Sequence, residues 1–176
     1  MNHEPSQHPR PAAILCVMGL MLCVDQLAKV AARAFLVMGH PVSLLGGTLK
    51  LTLIQNGGAF LSLGAGLPGA ARFLLFSVGG SAVIFAGFYY LVSRPKLSRR
   101  AVLAAACLLG GALSNQVDRF LFKGLVTDFL FLSWGPLHTG IFNLADMAVM
   151  FGAAAFFWAT WQRANTTPVS VNCEQP

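Results

Sequence analysis

Apolar residues fill four uncharged runs along this chain: Pro11–Val24, Phe73–Ser93, Ala101–Val117 and Met147–Gln162. Such runs read as membrane-spanning helices. A span needs about 20 residues, so three of these runs must continue through the aspartate that bounds them. The first continues through Asp25, the third through Asp118, and the fourth begins before Asp146. The expected spans are therefore approximately 11–30, 70–92, 100–119 and 143–163, within a single membrane domain covering residues 1–176. Between the spans the pattern changes. Val42–Phe60 alternates loosely, and Leu49–Ile54 reads as a strand with Lys50 on one face. Asp128–Leu132 reads as a short partner strand, and Ala28–Met38 either extends the first helix or runs along the interface. The fold class expected is an α-helical integral membrane protein. It has a four-helix transmembrane bundle and a small extracytoplasmic β-rich cap built from residues of about 40–69 and 120–141. Met1–Pro9 and Ala164–Pro176 read as tails.

Composition supports this reading: 56% of the residues are hydrophobic and only 10% are charged, against about a quarter charged in soluble domains. The charges give a direction. Ser93–Arg100 holds Arg94, Lys96, Arg99 and Arg100 with no acid, which places that loop in the cytoplasm. Both termini are then cytoplasmic, with Arg10 and Arg163 as flanks, while Asp25–Ala71 and Asp118–Ala145 face the other side. The net charge of +6 follows from orientation rather than from nucleic-acid binding. The N-terminal run is read as a span rather than a cleaved signal peptide, because no small-x-small site follows it. Trp134, Trp158 and Trp161 suit interface anchors.

The polar residues inside the spans carry the candidate chemistry. At a rise of about 1.5 Å per residue, Asp25, Asp118 and Asp146 lie about 22, 27 and 25 Å from the basic flanks of their helices. They share a depth just inside the outer edge of the hydrocarbon layer. An intramembrane carboxylate is costly and marks a functional site by default; the plainer alternative is that the three only mark helix ends. Other chemistries lack their residues. There is no HExxH, no GxSxG and no glycine-rich phosphate loop, and His3, His8, His40 and His138 are scattered. Cys16, Cys23, Cys107 and Cys173 form no ligand-spaced cluster, so neither a disulfide nor a metal is indicated, and no cofactor is expected. Carboxylates, amides and an arginine remain. On residue properties alone Asp118 pairs most naturally with Asp146, since both sit on helices.

Five short elements then fall in order at the outer helix ends and loops. They are Asp25-Gln26-Leu27-Ala28-Lys29, Asn56-Gly57-Gly58-Ala59, Gly110 to Arg119 with Ser114, Asn115 and Asp118 inside it, Val126-Thr127-Asp128-Phe129, and Phe142-Asn143-Leu144-Ala145-Asp146. With these elements the chain resembles the lipoprotein signal peptidase (signal peptidase II) family, four-span aspartic peptidases of bacteria. The resemblance runs from Asp25 to about Met150. It implies that Asp128 and Asp146 are the catalytic pair. It also implies that Asp118 and Arg119 form a structural pair beside the site. Asp25, Lys29, Asn56, Gly58, Asn115, Asn143 and Ala145 are implied to be supporting or substrate-binding residues.

Plainer roles exist for several of these residues. Gly110 and Gly111 suit close helix packing, Asn56 suits a turn cap, and Lys29 suits snorkelling to the interface. The implied substrate is a prolipoprotein whose cysteine carries diacylglyceryl, cut just before that cysteine. Lipid is the other implied partner, nucleic acid is not one, and the expected state is a monomer in the bacterial inner membrane. Ser114 stands where the family usually has glycine, and the turn Asn56–Ser62 also departs from the common pattern. Both departures leave room for a divergent paralogue with a narrower substrate range. Two rivals remain. A proton or ion pathway component would need carboxylates at several depths, and the inner halves of the spans carry none. A lipoprotein-binding pseudo-peptidase would bind precursors without cutting them.

Overall fold

The computed structural model describes residues 11–58, 64, 66–94 and 97–166. Arg10, Lys96, His3, His8, Cys173, the turn residues Ala59–Ser62 and most of both tails lie outside them. Helix α1 spans Pro11–Phe35, α2 Gly69–Ser93, α3 Arg99–Leu121 and α4 Leu144–Thr166. Each has a stretch long and apolar enough to cross a bilayer. Helix α1 runs past the expected end near residue 30, so part of Ala28–Met38 does extend it.

Helix α3 is the centre of the bundle. Its Val102, Ala106 and Leu109 form a buried cluster with Ile14 and Met18 of α1 and Leu91 of α2. Small residues permit this contact. A Cβ on Gly110 would stand 2.8 Å from the Met18 Cα, and one on Gly111 2.6 Å from the Ala145 carbonyl oxygen. The packing role considered for these two glycines is therefore met. The outward faces of the other helices leave Leu15, Leu20, Leu27, Val83, Phe85, Phe151 and Phe157 exposed. So broad an apolar surface suits lipid rather than water.

Four strands form one antiparallel sheet in the order β1 (Val42–Leu44), β2 (Leu49–Asn56), β3 (Val126–Trp134) and β4 (Leu137–His138). The two expected strands are present and pair with each other, but both are longer than their alternation suggested. Strand β3 starts at Val126-Thr127, where two β-branched residues suit extended backbone. In the β2–β3 register Ile54 faces Asp128 and Asn56 faces Val126. Leu53 and Phe129 pack on Ala32 of α1, which fixes the sheet on the end of the first helix. Phe142 bonds to Leu130, so the approach to α4 lies beside β3. That pairing brings Asp128 next to the start of α4.

Candidate active site

Three of the expected residues meet around one buried ammonium. Lys29 Nζ lies 2.8 Å from Asp25 Oδ2 and 3.3 Å from Asp118 Oδ2, and donates to Asn115 Oδ1 at 2.8 Å. Three acceptors match the three donors of an ammonium. Lys29 is fully buried, so it does not snorkel. Every oxygen of the two carboxylates has a further partner. Asp25 Oδ1 accepts the Ala145 N–H at 2.9 Å, and its Oδ2 accepts the Ser114 hydroxyl at 2.7 Å. Asp118 Oδ1 accepts from Gln26 at 2.9 Å, and its Oδ2 accepts the Thr127 N–H at 2.8 Å. The cluster ties α1, α3, β3 and α4 together. Ser114 belongs to it, because its hydroxyl also accepts from Gln26 Nε2 at 3.1 Å. A glycine at that position would leave both bonds unmade.

Asp118 and Arg119 do not pair with each other. Consecutive residues on a helix point about 100° apart. Asp118 therefore faces Lys29, while Arg119 turns the other way and donates to the Gly58 carbonyl at 3.0 Å. The Phe76 ring lies 5.8 Å from its guanidinium carbon.

The other two carboxylates line a cavity of about 530 Å³. Asp128 arrives on β3 and Asp146 in the first turn of α4. Asn143 bridges them. Its Nδ2 donates to Asp128 Oδ1 at 2.6 Å, and its backbone N–H donates to Asp146 Oδ2 at 3.3 Å. Its Oδ1 in turn accepts the Asp146 N–H at 2.9 Å. This reciprocal exchange is a helix N-cap with an acid at the third position. The cap that starts α4 thus also sets the two carboxylates side by side. Asn115 Nδ2 donates to Asp146 Oδ1 at 2.9 Å, which links this pair to the lysine cluster. Asn56 meets the turn-cap role considered for it, as its Oδ1 accepts the Gly58 N–H, and its Nδ2 donates to Asp128 Oδ2, each at 2.9 Å.

Burial pushes the Asp128 carboxyl up from 3.8 to about 7; the hydrogen bond from Asn56 opposes this, and the neighbouring Asp146 charge adds to it. Asp118 and Asp25 do not line the cavity. Sequence reading gave no role to Gln26, though it lies in the first of the five elements, nor to Thr127, both of which bond into the lysine cluster, nor to Gln116, which lines the cavity. Gln26 and Gln116 were visible as polar residues inside otherwise apolar helices, whereas Thr127 gave no signal beyond its neighbour Asp128.

A multi-pass helical bundle with two hydrogen-bonded carboxylates in one cavity defines a membrane protein equipped for carboxylate chemistry. The signal peptidase (SPase) II family pattern matches residues 17–162. Relatives named lipoprotein signal peptidase include one from Thermosynechococcus vestitus, 35% identical over 82% of this chain and 89% of its own length. Another, from Rhodococcus jostii, is 34% identical over 85% of this chain and 73% of its own length. A solved bacterial membrane enzyme shares the fold with a TM-score of 0.76, covering 91% of this chain and 94% of that one at 23% identity. The chain belongs to the signal peptidase II family of aspartic peptidases.

Proposed function

We propose that Asp128 and Asp146 are the catalytic pair of this peptidase. Its substrate is a prolipoprotein whose cysteine already carries diacylglyceryl, and it cuts the peptide bond just before that cysteine. The observation that carries this reading is the cavity with both carboxylates on its wall and Asn143 between them. Two neighbouring carboxylates in a poorly solvated site share one proton. The charged member takes a proton from a water as that water attacks the scissile carbonyl carbon. The neutral member donates a hydrogen bond to the carbonyl oxygen. As the tetrahedral intermediate collapses, the C–N bond breaks and a carboxyl proton passes to the leaving amine nitrogen. No step calls on a metal or organic group.

Asn56, Asn115 and Asn143 hold the carboxylate oxygens, and Arg119 and Gly58 line the cavity beside them. Asp25, Lys29 and Asp118 act at a distance, by fixing the elements that carry this pair. The described aspartates all belong to the same end of the bundle, which suits a peptidase better than an ion path through it. The protein sits in the bacterial inner membrane with both termini in the cytoplasm and the cavity near the outer face. A lipid-anchored substrate then approaches sideways, with its acyl chains still in the bilayer. The test is single-turnover incubation of the purified protein with a diacylated precursor and with its unmodified counterpart. Release of the signal peptide from the diacylated form alone is expected; cleavage of neither overturns the reading.

A further inference from the structure

One wall of the cavity is the least regular stretch of any span. Within α2, Phe73–Gly79 forms a π-helical segment, in which hydrogen bonds run to the fifth residue and some carbonyls are left without their usual partners. Gln116 of α3 reaches across to two carbonyls of this segment, of which that of Ser77 also accepts from Ser81 Oγ at 2.7 Å and from the Gly80 N–H. Its Nε2 lies 2.9 Å from the carbonyl oxygens of both Phe76 and Ser77 and 3.2 Å from Ser81 Oγ. Gly80 makes room for this contact, since a Cβ there would stand 2.5 Å from Gln116 Nε2. The arrangement is not a stability optimum. Gln116 Oε1 and Ser77 Oγ are buried without hydrogen-bond partners, which is costly. An apolar residue against a regular α-helix would avoid that cost.

The irregularity has a consequence for the cavity. The α2 residues that line it are Leu75, Phe76, Gly79, Gly80, Val83 and Ile84. They recur every four residues. A regular helix of about 3.6 residues per turn would rotate such a stripe by about 40° per repeat, and a wider turn removes that drift. The far half of α2 is anchored, because Ile84, Phe88 and Leu91 pack in the main core. Loss of the wide turn would therefore swing the near half, including Phe76, which lies against Arg119 and beneath Gly64.

We infer that Gln116 is a positioning residue for substrate: by capping the wide turn of α2 it keeps an apolar stripe facing the carboxylate pair, and that stripe seats the apolar residues of the signal peptide beside the scissile bond. This rests on the reading of the cavity as the substrate cleft. The hydrogen bonds of Gln116 run to Phe76, Ser77 and Ser81 rather than to Asp128 or Asp146, so its loss should weaken binding more than chemistry.

The test is Gln116→Met, which keeps the length of the side chain and removes its donor. KM for a diacylated precursor is expected to rise about tenfold while kcat falls less than about threefold. Hydrogen exchange should change in peptides covering residues 73–81 and stay as in the wild type over residues 101–115. A second variant combines Gln116→Met with deletion of Val78, a half-exposed residue of the wide turn. The ladder can then close as an ordinary α-helix that needs no cap, so this variant folds even where the first does not, and its KM should rise as well. An unchanged KM in whichever variant folds overturns the inference, as does an equal fall in kcat and kcat/KM. A wild-type protein that cuts no diacylated precursor overturns the functional reading instead, and the exchange pattern then still decides whether Gln116 holds the turn.

Discussion

Two opposed influences act on Asp128, and they give the site its pH behaviour. Burial, helped by the Asp146 charge, favours the neutral acid, while the amides of Asn56 and Asn143 favour the carboxylate; burial prevails and pushes the group up to about 7. If the pair works with one shared proton, kcat/KM should fall above about pH 7 as that proton is lost. The measurement is kcat/KM from about pH 5 to about pH 9, and a flat profile to the alkaline limit would count against a shared proton. Stability should follow the same group. Between its ordinary 3.8 and about 7 the folded chain holds a proton that the unfolded chain has released. This contribution is present below the window and lost as pH rises through it. The decline in thermal stability across that range should be shallower in Asp128→Asn.

The same substitution, and Asp146→Asn, should each lower single-turnover cleavage by about a thousandfold or more, since catalytic groups that act as a unit fail together. Precursor binding should survive in both. Asp118→Asn should behave differently. It removes one of two anions from a buried ammonium and weakens the Thr127 contact, so a loss of about 3 kcal/mol of stability is expected. Thermal unfolding in detergent beside the turnover of the folded fraction would separate the two effects. A folded but inactive Asp118→Asn beside an active Asp128→Asn would transfer the catalytic role to Asp118.

Between the helices, spacing rests on a few glycines whose surroundings differ sharply. A Cβ on Gly110 meets the α1 backbone at Met18, whereas one on Gly19, also within a span, meets nothing within 4 Å. Gly110→Val should therefore cost about 3 kcal/mol, the upper range for overpacking, because the obstacle is backbone that cannot rotate away. Gly19→Ala should be neutral or stabilising by up to about 1 kcal/mol through helix propensity. Thermal melts of the two variants in the same micelle decide this, and equal melting temperatures would contradict the packing account. The contrast also marks how far the sequence could be read. The spans were legible because each is a long uncharged run, a property that needs no partner. Strands β2 and β3 were legible as elements, since alternation and β-branching are local. The placement of Asp128 was not, because it depends on β3 pairing with β2 and on Phe142 bonding to Leu130. Only the resemblance singled it out over Asp118. The wide turn of α2 had no local signal, as its cap comes from Gln116 forty residues along, on another helix. Asp118 and Arg119, which the resemblance implied to be a pair, have different partners because consecutive residues diverge on a helix.

For the whole molecule, helix direction separates two ends. Helix α4 begins at the carboxylate pair and carries Arg163 in its last turn, while α3 begins at Arg99 and Arg100 and reaches the lysine cluster at Asp118. The end remote from the cavity therefore collects Arg94, Arg99, Arg100 and Arg163, close to span ends, where positive charge governs orientation. Basic residues at the cavity end include several engaged with the protein: Arg33 donates to Thr127 and lies over Phe122, and Lys50 lies over Phe131. The expected outcome is a cytoplasmic basic end and an outward cavity. Single-cysteine labelling with a membrane-impermeant maleimide tests it, with Cys16, Cys23, Cys107 and Cys173 replaced by serine or alanine. Ser98 is a poor probe, because its hydroxyl caps α3 by accepting the Ala101 N–H. Ser93 is exposed at the end of α2 and Thr48 is exposed in the β1–β2 turn, so these two positions report the two ends. Thr48→Cys should label in intact spheroplasts and Ser93→Cys only in inverted vesicles. The reverse pattern would put the cavity in the cytoplasm and would refute the proposed orientation together with the route of substrate entry.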